Sequence, residues 1–223
     1  MRMDTHILKH TTYREFIESS FNKIPEGLIV SDVACGPGNA GAELLRLNSK
    51  FVNFIDARTE SFDEAQKDWN ADNKFSNYSF NQVDIENRFA LLKSIAGSDV
   101  IIYTGHLYHS INPSMILDTI TKSSAKYLVI ESKMNNPDFF LVKSKKPRIA
   151  KVLNNTEYYY SGWVPDSRRM ITVCQPNLAF TKKFLEDANW KIESWFDLIE
   201  DVPGIQNMRP DMKMQRYGFF CTR

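Results

Sequence analysis

The sequence predicts an α/β fold in which helices cover both faces of a mostly parallel sheet, a three-layer sandwich. Apolar runs of strand length alternate with amphipathic helical stretches over residues 27–130, which is typical of parallel βαβ units. Near the carboxyl end, two apolar runs have no helical pattern between them, so they should be antiparallel neighbours. We therefore expect a seven-stranded sheet of five parallel strands and a C-terminal antiparallel pair, with an insertion after strand five.

The individual elements follow from hydrophobic periodicity and from the turn residues that separate them. The first helix is predicted over 11–22, because Tyr13, Phe16, Ile17 and Phe21 recur at helical spacing. Strands are predicted at 27–34, 51–55, 78–83, 99–103, 127–130, 190–198 and 216–222. The other helices are predicted at 40–47, 62–69, 88–96, 116–120 and 178–188.

Length and composition restrict the class of protein. The chain has 223 residues, 43% of them hydrophobic, which suits one domain over 1–223 with a full core. The formal net charge of +1 gives no overall attraction to nucleic acid or to a membrane. The sequence shows no signal peptide and no apolar run of membrane length, so we expect a cytoplasmic protein. The three cysteines are widely spaced, which predicts neither a disulfide framework nor a metal site.

Two segments lie outside the βα repeat. Residues 1–26 are predicted to form an N-terminal helical cap, and 132–177, too long for an ordinary loop, an insertion or lid. The insertion contains a basic cluster, which is either a solvent-exposed face or an RNA-binding surface, and an aromatic run at 158–160 that either packs or stacks on bases. The members of the basic cluster are Lys143, Lys145, Lys146, Arg148 and Lys151. Candidate substrate contacts in the insertion are Trp163, which could stack on an aromatic group, and Arg168 and Arg169, which could clamp a carboxylate or phosphate.

The segment LIVSDVACGPGNAG at 28–41 is the strongest functional signal. An apolar run ends at Asp32 and continues into a glycine turn, and a strand that enters a helix in this way exposes backbone N–H groups to a ligand. Gly36, Gly38 and Gly41 match the G-x-G-x-x-G spacing of dinucleotide-binding proteins. Asp32 instead matches the acidic strand end that S-adenosylmethionine (SAM) requires, so this segment alone fits either cofactor.

Three successive strands end in a carboxylate, namely Asp32, Asp56 and Asp84. Asp56 lies twenty residues after Gly36, the spacing of a ribose-binding carboxylate in either cofactor class. A third acidic strand end suits the adenine amino group, and the antiparallel finish of the sheet disfavours an all-parallel dinucleotide fold. Both observations favour SAM and leave Gly41 a role in helix–strand packing. Taken singly, Asp56 or Asp84 could instead be a helix N-cap.

With Asp32, Gly36 and Gly38 in this arrangement, residues 27–223 resemble the class I SAM-dependent methyltransferases. The motif of that family is an acidic residue followed by x-G-x-G-x-G, and this chain departs from it at Ala34, where glycine is usual. The resemblance implies a Rossmann-like fold, SAM as cofactor, and a ribose contact from Asp56. The other cofactor contacts that it implies are at the methionine end (Asp32, Ala34, Gly36 and Tyr108), beside the adenosine (Ala57 and Arg58), around the adenine (Asp84 and Ile85), and at Gly38 and Gly105.

A second resemblance lies in YTGHLYHSINP at 103–113. It is similar to the G-x-L-Y-H-x-x-x-P segment of methyltransferases related to the tRNA wobble-uridine carboxymethyl transferase, and YLVIES at 127–132 resembles the strand that follows. His106 and His109 come after the fourth strand, where the transferred methyl should lie, so either is a candidate general base. His109 could instead pack under the sheet edge, and an enzyme that mainly positions its acceptor needs no dedicated base.

These residues together predict methyl transfer from SAM to a small-molecule acceptor, with release of S-adenosylhomocysteine. One alternative is an RNA-modifying methyltransferase or carboxymethyl transferase that binds tRNA through the basic cluster. Two alternatives from other classes stay open at this point, a nicotinamide-dependent oxidoreductase and a SAM-binding module without activity.

Overall fold

The computed structural model describes residues 8–10, 13–71, 74–134, 141–145, 148–152, 156–160, 171–199 and 215–223. The strands in these ranges are β1 (Leu8–His10), β2 (Ile29–Val33), β3 (Phe51–Asp56), β4 (Tyr78–Gln82), β5 (Val100–Thr104), β6 (Tyr127–Met134), β7 (Leu141–Lys145), β8 (Arg148–Val152), β9 (Thr156–Tyr160), β10 (Ile171–Gln175), β11 (Lys191–Ile199) and β12 (Gln215–Thr222). The helices are α1 (Tyr13–Phe21), α2 (Asn39–Arg46), α3 (Glu60–Asn70), α4 (Arg88–Ser94), α5 (Pro113–Thr121) and α6 (Leu178–Asp187), with a 3₁₀ turn at Leu107–His109.

The main sheet has the strand order β1-β11-β12-β6-β5-β2-β3-β4. Strand β12 runs antiparallel to its neighbours β11 and β6, and the other neighbouring strands are parallel. The predicted fold class is therefore confirmed, with seven strands in the expected arrangement and helices on both faces. The three-residue strand β1 adds an eighth at the edge, and so short a segment becomes a strand only by pairing with β11.

The strand order reverses at β2, which has β3 on one side and β5 on the other. In open parallel sheets a ligand binds in the crevice outside the carboxyl ends of the strands at such a reversal. Strand β2 ends at Val33, directly before the predicted glycine turn, so the topology brings that turn to the crevice.

Two hydrophobic cores lie on the two faces of the sheet. One contains Phe16 of α1, Phe54 of β3 and Phe196 of β11, and the other contains Tyr103 of β5 and Leu185 of α6. The rings of Phe16 and Phe196 have centroids 4.8 Å apart, so the amphipathic face of α1 is packed directly on β11. Burial on both faces explains why the central strands are continuous apolar runs rather than alternating ones.

The segment after β6 forms two antiparallel ribbons, β7 with β10 and β8 with β9. Strand β6 itself continues to Met134, four residues past its predicted end, because β12 pairs with it along its whole length. Strand β10 lies against the 107–109 turn, which places this part of the insertion beside the carboxyl end of β5. That the insertion acts as a lid, and residues 1–26 as a cap, stays a prediction.

Within the described ranges, no helix combines the length and the apolar character that a bilayer crossing needs.

Candidate active site

A cleft opens at the carboxyl ends of β2, β3 and β4. It is lined by Ala34, Asp56, Ala57, Asp84, Ile85, Glu86 and His106. All of these except Glu86 are predicted site residues. Residues that are far apart in sequence are brought together here because parallel strands end at one edge of the sheet.

The glycine turn has the backbone that the sequence predicts. Gly36 and Gly38 have φ of +52° and +77°, a region in which glycine avoids the cost that a Cβ would impose. Nothing lies within 4 Å of the place where a Cβ of Gly36 would be, so there is open space beside the backbone of the turn. Ala34 has φ of +55°, so the alanine that departs from the family motif sits in a left-handed conformation that strains its backbone.

The carboxylate of Asp56 accepts a hydrogen bond from the backbone of the glycine turn. Its Oδ2 accepts the N–H of Gly36 at 2.9 Å and its Oδ1 accepts the N–H of Arg58 at 3.0 Å. The guanidinium of Arg58 is also close, with Nε 3.8 Å from Oδ1. Asp56 lines the cleft with oxygens that are held in place by two backbone donors. The N-cap of the following helix is Thr59, so Asp56 does not have the capping role that was its alternative.

Asp32 is buried, with 1% of the residue exposed, and it is not among the residues that line the cleft. Its Oδ2 accepts the N–H of Gly41 at 2.9 Å, in the first turn of α2. Burial raises the pKa of Asp32 to about 7. The hydrogen bond from Gly41 lowers this pKa, and the negative charge of Asp56 raises it by a smaller amount. A Cβ on Gly41 would lie 2.4 Å from Cε1 of Phe54, so this glycine is needed for close packing of helix on strand.

Asp84 and Glu86 belong to one loop after β4. Oδ1 of Asp84 accepts the N–H of Glu86 at 2.9 Å, and the N-cap of α4 is Asn87, not Asp84. Glu86 accepts the N–H groups of Ile111 at 2.8 Å and Asn112 at 3.3 Å, so its carboxylate ties this loop to the start of α5. Burial raises the pKa of both carboxyls.

A buried hydroxyl orients His106. The hydroxyl of Tyr103, whose side chain is fully buried, lies 3.2 Å from Nδ1 of His106 and 3.2 Å from Oγ of Ser110. Burial raises the pKa of Tyr103 above its ordinary value, so this group stays a neutral phenol. The other predicted histidine, His109, lies against Tyr108 with ring centroids 3.9 Å apart and the rings tilted by 39°, and it is not among the residues that line the cleft.

The remaining predicted residues divide into two groups. Gly105 has φ of +74° with open space at its Cβ position, and Tyr108 donates its N–H to Ser132, so both lie at the carboxyl ends of β5 and β6. Trp163, Arg168 and Arg169 lie outside the described residues.

Sequence reasoning missed four residues that shape the site, Glu86, Tyr103, Ser110 and Lys133. Glu86 carried a detectable signal, because it follows the predicted strand-end Asp84 by two positions. Lys133 lies with its Nζ 5.4 Å from the ring centroid of Tyr108. The sequence offered no signal for it, because it falls in the segment predicted as insertion.

Comparison with known proteins identifies the family. The family model described as "Methyltransferase domain" matches residues 24–196, which is most of the chain, and the chain belongs to this family of methyltransferases. It is therefore a SAM-dependent methyltransferase, and SAM is its cofactor. No curated protein matches the sequence.

Solved structures confirm the fold at low sequence identity. A SAM-dependent methyltransferase from Mesorhizobium loti is 11% identical with a TM-score of 0.58, and the match covers 92% of this chain and 96% of that one. The magnesium protoporphyrin IX methyltransferase of Synechocystis with bound S-adenosylhomocysteine is 14% identical with a TM-score of 0.59, covering 95% of this chain and 83% of that one.

These findings decide between the two cofactors that the glycine motif allowed. The G-x-G-x-x-G spacing does not indicate a nicotinamide cofactor, because Gly41 serves helix packing and the family is one of methyltransferases. The cleft also fits SAM, since Asp56 offers carboxylate oxygens for ribose hydroxyls and Gly36 leaves open the space that a Cβ would fill. The narrower resemblance to the tRNA carboxymethyl transferase subgroup stays a prediction.

Proposed function

We propose that this methyltransferase binds SAM in the cleft and methylates a small-molecule acceptor. Asp56 would hold the ribose hydroxyls, Asp84 and Ile85 would contact the adenine, and Ala34 and Gly36 would line the methionine end. The observation that carries the cofactor placement is the Asp56 carboxylate, which lines the cleft while two backbone N–H groups fix both of its oxygens. The carboxylate oxygens that would accept hydrogen bonds from the ribose hydroxyls are therefore preorganised before any ligand binds.

The acceptor side supports a small molecule. Strand β10 of the insertion lies against the 107–109 turn, so protein covers part of the region next to His106. A region that is partly covered by protein favours a compact substrate over a large one. The net charge of +1 gives no general attraction to polyanions.

The chain's own contribution to methyl transfer is mainly positioning. Bound SAM supplies a methyl group on a positively charged sulfur, and the acceptor must approach that carbon in line. The backbone of the glycine turn, the Asp56 carboxylate and the 105–110 loop hold the two reactants at adjoining parts of one sheet edge. Holding two reactants in this way removes much of the entropic cost of a bimolecular reaction.

Radiolabel transfer tests the proposal. The purified protein is incubated with methyl-labelled SAM and, in parallel, with an ultrafiltered small-molecule extract and with total RNA from the same cells. Label that enters the small-molecule fraction supports the proposal, and label that enters only RNA overturns it. An Asp56→Ala variant, which should bind the cofactor more weakly, should transfer less label at limiting SAM if the transfer belongs to this site.

RNA is a second candidate acceptor, favoured by the cations of β7 and β8. These are Lys143 and Lys145 on β7 and Arg148 and Lys151 on β8. If they form an RNA surface, tRNA should bind at low salt and dissociate steeply as salt rises, because each phosphate contact releases counterions. Absence of tRNA binding at low salt would remove this candidate.

A further inference from the structure

Among the residues that the structure describes, three large hydrophobic side chains are exposed, and all three belong to α4 or to the turn before α5. Phe89 is 83% exposed, Leu92 is 45% exposed and Ile111 is 42% exposed. Single exposed hydrophobic residues are common on protein surfaces and need no explanation. Three of them at one place indicate a surface that a partner covers.

Helix spacing and one hydrogen bond bring these side chains together. Phe89 and Leu92 are three positions apart on α4, so they are neighbours on the helix surface, while Leu91 between them packs in the core. The N–H of Ile111 donates to Oε1 of Glu86, three residues before Phe89, at 2.8 Å. Phe89, Leu92 and Ile111 therefore form one surface, the apolar patch. It lies beside the cleft, because Glu86 lines the cleft.

The charges around the apolar patch are mainly positive. The charged residues of α4 and α5, with their caps, are Arg88, Lys93, Asp118 and Lys122. Asp118 is compensated on both sides, since it lies 2.8 Å from Nη2 of Arg88 and 2.7 Å from Nζ of Lys122. Three cations and one carboxylate leave these helices with a net charge of +2. The carboxyl groups of Asp84 and Glu86 line the cleft instead.

The size of the apolar patch decides between two kinds of partner. Its exposed apolar area is on the order of 300 Å², whereas each partner in a stable protein complex buries ~800 Å². The patch by itself is therefore too small for a stable dimer of this chain. A lipid surface needs no such area, because exposed aromatic and aliphatic side chains flanked by lysine and arginine bind at the boundary between headgroups and acyl chains.

We propose that the apolar patch is a docking surface for an anionic lipid bilayer. Phe89 enters the boundary between headgroups and acyl chains, with Leu92 and Ile111 beside it. Arg88 and Lys93 contact the anionic headgroups, which attract basic side chains near a membrane surface. Binding is reversible, because the inserted apolar area is small. This interaction is independent of which acceptor the enzyme methylates.

Vesicle flotation tests the proposal. The purified protein is mixed with vesicles of phosphatidylcholine and phosphatidylserine and, in parallel, with vesicles of phosphatidylcholine alone. We expect it to float with the mixed vesicles, to bind the neutral vesicles more weakly, and to leave the mixed vesicles as salt rises, because salt screens exposed charges. Protein that stays unbound by the mixed vesicles at low salt overturns the proposal.

Variants assign the binding to the apolar patch. Phe89→Ser removes the exposed ring and should abolish flotation, while its melting temperature should stay close to that of wild type. Lys93→Gln should weaken binding to the mixed vesicles about fivefold, through the loss of one cation near an anionic surface. Lys67→Gln on α3, also an exposed lysine, is the matched control and should bind as wild type does. Flotation of Phe89→Ser, or equal binding by both lysine variants, would place the contact elsewhere and overturn the proposal.

Fluorescence quenching tests insertion directly. Phe89→Trp adds a tryptophan to the four that the chain already has, and brominated lipid in the mixed vesicles should quench the emission of this variant more than that of wild type. Equal quenching of the two proteins would contradict insertion. Sedimentation of the proteins without lipid tests the other partner. A wild-type dimer that Phe89→Ser converts to a monomer would show that a second copy covers the patch, and would overturn the lipid assignment.

Discussion

The two halves of the cleft are held together in different ways. In the cofactor half, the carboxylates of Asp32 and Asp56 bind backbone N–H groups of the glycine turn and of α2. In the other half, the proposed acceptor half, side chains bind one another or join separate loops, as in the Tyr103–His106 pair and the Glu86 bridge to Asn112. The cofactor half is thus a local property of strand and turn, while the acceptor half depends on contacts between distant segments.

The halves also differ in charge. Asp56 and Asp84 make the cofactor half acidic, which suits hydroxyl and amino groups as partners. Beside the other half, the ammonium of Lys133 lies 5.4 Å from the ring centroid of Tyr108.

The largest expected effect concerns Asp32 and pH. Burial raises the pKa of Asp32 in the folded state to about 7 from an ordinary 3.8, so folding is most favoured while it is protonated. The contribution of protonated Asp32 to the stability of the folded protein is complete below pH 3.8 and is lost as the pH rises through about 7. Asp32→Asn should remove this slope and be more stable above neutral pH, by at most about 4 kcal/mol.

Urea unfolding at pH 5 and pH 8 measures this difference. Parallel pH profiles of wild type and Asp32→Asn would contradict the expectation. The affinity of Asp32→Asn for S-adenosylhomocysteine tests the role of Asp32 in binding. If Asp32 has only a structural role, the affinity should change little. If Asp32 contacts the methionine end of the cofactor, the variant should bind more weakly.

The second effect is on cofactor affinity. Asp56→Ala removes a charged acceptor from the cleft, and the loss of such hydrogen bonds should weaken binding of S-adenosylhomocysteine by about 1.5–3 kcal/mol, roughly 10- to 150-fold. Isothermal titration calorimetry measures it. Asp68→Ala, an exposed position on α3, is the matched control and should bind as wild type does. Unchanged affinity in Asp56→Ala would refute the ribose assignment.

The third effect tests whether Glu86 joins the two halves. Glu86→Gln keeps one acceptor oxygen for the two N–H groups of Ile111 and Asn112 and should cost about 1 kcal/mol. Amide hydrogen exchange should accelerate roughly fivefold around residues 111–112 while residues 34–41 stay protected. Glu64→Gln on the exposed face of α3 changes charge equally and should alter neither region. Equal acceleration in both regions would mean that the halves are not held separately.

The smallest effect is at Ala34. Its φ of +55° strains an alanine, so Ala34→Gly should raise the free energy of unfolding by about 0.5–1 kcal/mol, after the higher chain entropy of glycine is counted. Ala65→Gly in α3 also replaces alanine with glycine, but it should lower the free energy of unfolding by about 1 kcal/mol. Thermal unfolding of both variants checks the opposite signs. A lower melting temperature for Ala34→Gly would show that its methyl group is needed in the cleft.

The cofactor half could be predicted well from the sequence for a physical reason. Strand ends and the acidic residues beside them are local in the chain, so the residue pattern assigns Asp56 and Asp84 to one site. The resemblance to methyltransferases adds Ala34, Ala57 and Ile85, and all five line the cleft. The acceptor half could be predicted in part. The sequence offers both His109 and His106 and ranks His109 first, whereas the fold shows that His106 lines the cleft.

The amino-acid order alone dictates the sheet of parallel strands, the glycine turn and the succession of acidic strand ends, because each depends on hydrophobic periodicity and neighbouring residues. Tertiary structure decides what those residues contact. Asp32 binds Gly41 because close packing of α2 on β3 brings that N–H to it. The Tyr103 hydroxyl reaches both Ser110 and His106 because the loop after β5 folds back over the strand end. Such directed contacts depend on side-chain positions in three dimensions, which periodicity along a chain does not contain.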